Sequence, residues 1–303
     1  MKLGHFALPP FVKGVEGAID SAAALGFYSV ELTASYFPDS MPREAMLDSA
    51  RRIKAYADEK GVALRCFSWC VDISQNTEAS VAILKKYADV CQVTDCKYLH
   101  HTLVCSFAPG SVNFEEKLPQ IIPACREVYD YAATKGVQVV YEPQGAGFNG
   151  VQNLKKFVQA LDRAPKFVAD LGNTYFVNES PDRVIRAFGK DVVHVHVKDY
   201  RVIENLSEAP LPYIFGRTPE RAATFYTKCC YPTPNKTYLA DALPGEGVNN
   251  FVSLFTLLLE NGYDGCFHLE VPCWGKYPKA QFEYIIAYCK ECYEKAQKLI
   301  SSP

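Results

Sequence analysis

A single (β/α)8 barrel of the α/β class is the fold that the sequence predicts, and three observations support it. Eight short, apolar, β-rich runs are spread along the 303 residues. Longer segments with the 3.6-residue periodicity of helices lie between these runs. No low-complexity linker and no shift of composition divides the chain. Alternation of strand and helix over this length is typical of a closed parallel barrel.

The predicted strands follow one another at the spacing that intervening helices require. They span residues 2–7, 28–33, 62–68, 97–103, 137–142, 166–171, 192–198 and 266–271. A doubly wound sheet would alternate in a similar way, but the sequence after the first strand carries no Gly-rich phosphate-binding loop. We therefore expect one barrel over residues 1–303, with a long insertion at about 200–243 after the seventh strand.

Several helices carry recognisable start and stop signals. The helical pattern over 43–61 ends at Lys60 and Gly61, where glycine supplies a left-handed residue after the last turn. Ser180 and Pro181 provide an N-cap and a first turn for another helix. Two further helical patterns, over 247–262 and 277–300, flank the last strand.

Composition excludes several classes of function. Lys plus Arg number 32 against 34 Asp plus Glu, so the net charge of −2 argues against a nucleic-acid partner. No apolar stretch approaches the length of a membrane span, and the first ten residues lack signal-peptide features. We expect a soluble, cytoplasmic protein without a membrane partner. The twelve scattered cysteines are expected to be free thiols.

Polar side chains stand at the ends of four consecutive predicted strands. Glu142 ends the fifth, Asp170 the sixth and Glu270 the eighth, while His196 lies on the seventh. His194, His196 and Lys198 alternate with valines and so share one face, which we expect to be the barrel interior. Active residues of such barrels stand at the carboxyl ends of the strands. The four residues are therefore predicted to converge.

Three converging carboxylates repel one another unless a cation neutralises them. A mixed set of carboxylate and imidazole ligands suits Mn²⁺, Co²⁺, Zn²⁺ or Mg²⁺. We expect one divalent metal ion as cofactor, with Mn²⁺ as the first choice.

The chain resembles the sugar-phosphate isomerase/epimerase family of xylose isomerase-like barrels, whose members include tagatose 3-epimerase, hydroxypyruvate isomerase and inosose dehydratase. The resemblance covers nearly the whole chain. The segments that carry it are Tyr141-Glu142-Pro143, residues 169–173, residues 194–199, residues 244–247 and residues 262–270.

The resemblance implies a set of roles. Glu142, Asp170, His196 and Glu270 would be the metal ligands. Glu142 and Glu270 would be the acid–base pair that removes and returns a proton next to a carbonyl, through an enediolate. The implied substrate is a small carbohydrate or keto-sugar, the implied reaction is isomerisation or epimerisation, and the implied assembly is a homo-oligomer.

Two departures from the family pattern keep other functions open. Asn173 stands where many of the epimerases carry histidine, and the insertion after the seventh strand is long. Both features leave room for a dehydratase or lyase that acts on an inosose or a 3-keto-glycoside. A non-catalytic barrel that binds sugars or a partner protein is a further alternative. Phosphodiester hydrolysis is disfavoured, since the chain has only six histidines.

A few other residues are candidates for substrate contact. His101 lies on the fourth predicted strand, and Asn173 and Lys198 lie close to the predicted ligands. Lys198 is expected either to bind a substrate oxygen or to pair with a neighbouring carboxylate. Trp69 and Trp274 follow the third and eighth strands, where an aromatic ring can stack on a sugar or simply fill the rim of the barrel.

Overall fold

Strands and helices alternate along the chain as the sequence predicts. The computed structural model describes residues 1–6, 14–104, 106–204, 231–271 and 279–301. The strands in these ranges are β1 (Lys2–Phe6), β2 (Ser29–Thr33), β3 (Ala63–Trp69), β4 (Tyr98–His101), β5 (Gln138–Tyr141), β6 (Lys166–Asp170), β7 (Val192–Val197), β8 (Asp199–Ile203), β9 (Tyr231–Pro232), β10 (Tyr238–Ala242) and β11 (Cys266–Leu269). The helices are α1 (Gly14–Ala24), α2 (Arg43–Lys60), α3 (Thr77–Thr94), α4 (Phe114–Thr134), α5 (Val151–Leu161), α6 (Pro181–Phe188), α7 (Phe251–Glu260) and α8 (Lys279–Ser301).

Eight of the described strands close a parallel barrel in the order β1-β11-β7-β6-β5-β4-β3-β2. These are the eight strands that the sequence predicts, and the single (β/α)8 barrel is confirmed. Alternate residues of each strand point to the interior of the barrel or to the surrounding helices. On β2, for example, Val30 and Leu32 belong to the apolar core, while Ser29 and Glu31 make polar contacts inside the barrel.

The helix boundaries follow the punctuation of the sequence. Gly61 has a φ of 67° after the last residue of α2, and its N–H donates to the carbonyls of Ala57 and Asp58. Asn250 caps α7 by accepting a hydrogen bond from the N–H of Ser253. Pro181 is the first residue of α6, and Ser180 precedes it with an extended backbone. These residues fix where α2 ends and where α6 and α7 begin.

The chain after β7 does not return directly to a helix. Strands β8, β9 and β10 form a small antiparallel sheet in the order β8-β10-β9. Tyr200, Tyr231 and Leu239 of this sheet pack against Phe176, which lies in a 3-10 helix that follows β6. The predicted insertion at about 200–243 therefore contains a sheet at its two ends, and its residues 205–230 lie outside the described residues.

Asp199 connects the two ends of the segment between β7 and α7, which we call the β7–α7 excursion. Its carboxylate accepts hydrogen bonds from the N–H groups of Tyr200, Gly245, Gly247 and Asn249, at 3.0 to 3.2 Å. The carboxylate thus binds the start of β8 and the segment that leads back to α7.

Cysteines contribute to the fold as small buried side chains. The eight cysteines within the described ranges are free thiols, and seven of them are buried. They include Cys289 and Cys292, which lie on α8. Within these ranges, no helix combines the length and the apolar composition needed to cross a membrane.

One buried carboxylate ties three of the outer helices together, and its removal is expected to weaken the fold. Asp89 of α3 lies 2.8 Å from a nitrogen of Arg43 and 2.9 Å from Lys135 Nζ, and it accepts a hydrogen bond from the Tyr131 hydroxyl. Burial alone would raise the pKa of Asp89, but the bonds from Lys135, Arg43 and Tyr131 outweigh burial and hold it below the ordinary 3.8.

We expect Asp89→Asn to lower the free energy of unfolding at pH 7 by about 2 kcal/mol, because charged partners lose their acceptor. A carboxyl with a lowered pKa stabilises the folded state above its ordinary pKa and loses this effect as the pH falls through the lowered value. The difference between wild type and variant in urea unfolding should therefore shrink below about pH 4. A difference that stays constant from pH 7 to pH 3 would contradict this account.

Candidate active site

Four side chains that end consecutive strands meet at the carboxyl end of the barrel. They are Glu142, Asp170, His196 and Glu270, and one ligand atom from each lies within 4.8 Å of the others. Asp170 pairs with His196 between β6 and β7, and His196 pairs with His268 between β7 and β11, so the register brings the strand ends to one level. The structure thus brings together the four residues that the sequence singled out as ligands.

The imidazole of His196 lies at the centre of this group. Its Nδ1 is 2.7 Å from Glu142 Oε1, 3.4 Å from Glu270 Oε2 and 3.9 Å from Asp170 Oδ2. The backbone N–H groups of Gly172 and Asn173 donate to the other oxygen of Asp170, at 2.7 and 2.6 Å. Asp170 is therefore held by the turn after β6 with its Oδ2 facing the group.

Lys198 supplies a second positive charge. Its Nζ lies 2.7 Å from Glu270 Oε2 and 3.1 Å from Asp170 Oδ2, and it donates to Asn173 Oδ1 at 3.3 Å. Of the two roles expected for Lys198, the structure shows the ion pair with neighbouring carboxylates. Asn173 is buried beside it and serves as one of its acceptors.

Burial and charge together set the protonation of this site. Burial raises the pKa of Glu270 to about 8, because Lys198 and His196 offset it only in part and Asp170 repels the charged form. Burial also raises the pKa of Glu142 despite its contact with His196. Burial opposes the charge of Asp170 as well, but Lys198 and His196 outweigh it and lower the pKa of that carboxyl. Burial, together with repulsion from neighbouring carboxylates, thus opposes ionisation of Glu142 and Glu270.

A cavity of about 500 Å³ opens in front of these groups. This volume lies within the range of about 300 to 1,000 Å³ that is typical of small-molecule sites. Glu142, His196 and Glu270 line this cavity together with the aromatic side chains of Phe6 and Trp69, and the Phe6 ring packs edge-on against the His196 ring. The cavity therefore combines acidic, hydrogen-bonding groups with apolar surface, as a polyhydroxylated ring requires.

Below the carboxylates, the barrel interior holds a second set of polar groups. We call these residues the interior network; they are Ser29, Glu31, Ser68, His100, His194 and His268. All of them are buried. Glu31 was not among the functional residues predicted from the sequence. Its position between the core residues Val30 and Leu32 is the period-two signal that would have assigned it to the interior.

The two neighbouring histidines of β4 point to opposite faces. His100 lines the cavity, with its Nε2 3.5 Å from Glu142 Oε2. His101, which the sequence analysis proposed as a substrate contact, packs instead against Tyr141 on the side of the helices and bonds to the Thr102 carbonyl. The structure therefore moves this candidate contact from His101 to His100, because adjacent residues of a strand face opposite ways.

The two candidate tryptophans have different outcomes. Trp69 lines the cavity, and its ring packs edge-on against Tyr87 with ring centres 5.4 Å apart. Trp274 lies outside the described residues.

Comparison with known proteins relates this geometry to a family. The sequence profile of the xylose isomerase-like TIM barrel family matches residues 19–292. The inosose dehydratase of Clostridium botulinum (strain Alaska E43 / Type E3) is 24% identical over 166 residues, which cover 53% of this chain and 49% of that protein. The chain thus spans about half the length of the curated relatives that it matches.

Solved structures share the fold over nearly the whole chain. The 3-keto-D-glucoside 4-epimerase of E. coli has a TM-score of 0.69 at 14% identity, with 96% of this chain and 100% of that chain covered. The IOLI protein, described with a bound zinc atom, has a TM-score of 0.68 at 16% identity, with 100% of both chains covered. The match of the family profile to most of the chain confirms the resemblance found in the sequence, and the chain belongs to the xylose isomerase-like TIM barrel family.

Proposed function

We propose that this protein is a divalent-metal-dependent enzyme that isomerises or epimerises a small keto-sugar by proton transfer next to a carbonyl. The observation that carries the proposal is the convergence of Glu142, Asp170, His196 and Glu270 beside a cavity of monosaccharide scale, which the first, third and fourth of them line. Buried carboxylates in such a cavity are costly unless they bind a cation or transfer protons.

The residues present fit a divalent ion. Three oxygen donors and one nitrogen donor lie within 4.8 Å of one another, and none of the four is a thiolate. Burial keeps the pKa of Glu142 and of Glu270 above the ordinary value, and a bound cation would favour the charged form of both carboxyls. Such a donor set suits Mn²⁺, our first choice, and also Co²⁺, Mg²⁺ or Zn²⁺. A bound zinc atom in the structurally similar IOLI protein supports the same assignment.

Bound at these four residues, the ion would act as a Lewis acid that polarises a substrate carbonyl. The remaining steps belong to the side chains. Glu142 follows β5, and Glu270 follows β11. Both residues line the cavity, so a sugar ring seated there would meet a carboxylate from each of the two strand ends. One carboxylate removes the proton next to the carbonyl, and the other returns a proton to the enediolate.

Lys198 and Asn173 position these groups. The ammonium of Lys198 holds the Glu270 carboxylate at 2.7 Å, and the Asn173 amide oxygen holds the ammonium at 3.3 Å. Among the described residues, the amide nitrogen of Asn173 has no hydrogen-bond acceptor, but it is buried and Asn173 is not among the residues that line the cavity. Trp69 and Phe6 provide the apolar surface on which the carbon face of a sugar packs.

A dehydratase is the second candidate, and the sequence relationship to inosose dehydratase favours it. The first step would be the same proton abstraction, followed by loss of a β-hydroxyl as water or, from a 3-keto-glycoside, of the aglycone. His100 lines the cavity beside Glu142 and is placed to contact the departing oxygen. A non-catalytic sugar-binding barrel is less favoured, because the chain retains both glutamates of the acid–base pair.

Deuterium exchange in heavy water tests the proposal. The protein is stripped with a chelator, loaded with Mn²⁺, and incubated with a panel of free ketoses, inososes and 3-keto-glycosides. Deuterium in an isomerised or epimerised sugar, dependent on the metal, is the expected result. Deuterium together with loss of water or aglycone would replace the isomerase by the lyase. No exchange by the metal-loaded protein with any compound of the panel would contradict both and favour the binding barrel.

A further inference from the structure

His196 contacts a carboxylate through each of its two ring nitrogens. Nδ1 faces Glu142 at 2.7 Å, in the group of candidate ligands. Nε2 faces both oxygens of Glu31 at 3.1 Å, on the opposite side of the ring. Glu31 and His196 are both fully buried, so water does not substitute for either contact.

This arrangement determines which nitrogen of His196 is available to a metal. A neutral imidazole carries one proton, and only the nitrogen without it has a lone pair to donate. Glu31 accepts a hydrogen bond from Nε2–H, so a metal ion that displaces the proton of Nδ1 would meet the lone pair of that nitrogen, on the side of Asp170, Glu142 and Glu270. Carboxylates that orient ligand histidines in this way typically change metal affinity by about 10- to 100-fold.

We propose that Glu31 is a positioning residue of the metal centre, which fixes His196 in the form that ligates a divalent cation through Nδ1. This inference deepens the proposed function and rests on it. It assigns a role to a buried carboxylate that lies one layer below the ligands and touches neither the ion nor the substrate cavity.

The interior network holds Glu31 in place for this task. His194 Nε2 donates to Glu31 Oε2 at 2.7 Å, and the Ser68 hydroxyl donates to Glu31 Oε1. His194 and His196 both contact the Glu31 carboxylate inside the barrel. The carboxylate therefore cannot rotate away from His196 without losing its hydrogen bond to His194.

The same network raises a competing interpretation, a second metal site. Glu31, His194 and His268 offer ligand atoms within 4.8 Å of one another. Their contacts argue for a hydrogen-bonded network instead. The Glu31 oxygens already accept bonds from Ser68, His194 and His196, and His268 Nε2 lies 2.8 Å from the Ser29 hydroxyl oxygen. None of these three candidate ligands lines the cavity through which an ion would arrive.

Metal titration of the full-length protein tests the inference. Glu31→Gln keeps the shape of the side chain and removes its charge. We expect its dissociation constant for Mn²⁺, measured by calorimetry, to rise roughly 10- to 100-fold. The visible spectrum of the Co²⁺-loaded variant should also change, since this spectrum reports the ligand set and geometry.

Asp89→Asn is the matched control. It neutralises another buried carboxylate and weakens the fold, but it lies among the outer helices, so its Mn²⁺ affinity and Co²⁺ spectrum should equal those of the wild type. Wild-type affinity and spectrum in Glu31→Gln would overturn the inference and leave the proposed function intact. A wild-type protein that binds no divalent ion would instead overturn the proposed function, and the inference with it.

A measurement on the wild type serves if Glu31→Gln does not fold. Histidine-selective ¹⁵N labelling gives twelve ring signals from the six histidines, and a His196→Asn sample identifies those of His196. With Zn²⁺ bound, we expect Nε2 of His196 to carry a proton and Nδ1 to show the shift of a ligating nitrogen. The reverse pattern, or a His196 ring unaffected by Zn²⁺, would overturn the inference.

Discussion

Replacing either Glu142 or Glu270 by Gln is expected to lower turnover by about 10³-fold, within the range for loss of a general acid or base. The two variants should differ in their exchange chemistry. A variant that lacks the proton-abstracting carboxylate loses both turnover and deuterium exchange. A variant that lacks the proton-returning carboxylate forms no product but still exchanges the substrate proton with the remaining base. Comparing the two in heavy water therefore assigns the roles of Glu142 and Glu270.

Metal content has to be measured in both variants, because each glutamate is also a candidate ligand. Variants are compared at Mn²⁺ concentrations that saturate each of them. Glu127→Gln serves as control, since Glu127 pairs with Lys85 at the surface, and this variant should retain wild-type turnover. Turnover reduced less than tenfold in both active-site variants would rule out the two-carboxylate mechanism.

Gly4→Ala is expected to destabilise the barrel by about 3 kcal/mol, the upper part of the usual range for overpacking a core. Gly4 of β1 is the register partner of His268 on β11. A Cβ at Gly4 would lie 2.3 Å from Cδ2 of the His268 ring, well inside contact distance. The ring cannot retreat easily, since it lies 2.8 Å from the Ser29 hydroxyl oxygen and its centre lies 4.3 Å from that of His194.

A double-mutant cycle isolates this contact. Introducing Gly4→Ala into a His268→Ala background, where the ring is absent, should cost less free energy of unfolding than in the wild type. The difference is expected to be about 1 to 3 kcal/mol, as for residues in direct contact. Equal costs in the two backgrounds, measured by urea unfolding, would show that the clash with His268 is not the cause.

The barrel itself was predictable because its signals are local and repeated. Apolar runs mark all eight barrel strands, and the helix boundaries predicted at Gly61 and at Ser180-Pro181 lie where the structure has them. The convergence of the four candidate ligands was predictable for the same reason. Parallel strands of a closed barrel end on one side, so polar residues at four successive strand ends have to converge there.

Where two adjacent residues of a strand are both polar, it was harder to predict which of them points into the barrel. His100 and His101 are chemically alike, and the choice between them depends on the phase of β4. Leu99 indicates this phase, because it belongs to the apolar core between the strands and the helices. His101 lies two residues further on and shares the face of Leu99, so His100 points into the barrel. The same argument applied to Val30 and Leu32 would have placed Glu31 inside the barrel.

Contacts between distant segments were beyond what local pattern could predict. The ion pair of Lys198 with Glu270 joins the residues that follow two strands, and whether a lysine pairs with a carboxylate or contacts a substrate depends on tertiary distances. The small sheet of β8, β9 and β10 is similar. Its strands pair with one another across the insertion, and local pattern did not distinguish them from a loop.

The carboxylate of Asp199 has a consequence for how this barrel varies in evolution. The chain leaves the barrel after β7 and returns towards α7 at one and the same side chain, so the two anchor points of the excursion stay together whatever lies between them. Lengthening a closed loop adds little cost, about 0.6 kcal/mol for each doubling. We therefore expect the length and sequence of the β7–α7 excursion to diverge among related proteins. His196 and Lys198, which precede Asp199 in the chain, keep their positions when the excursion changes.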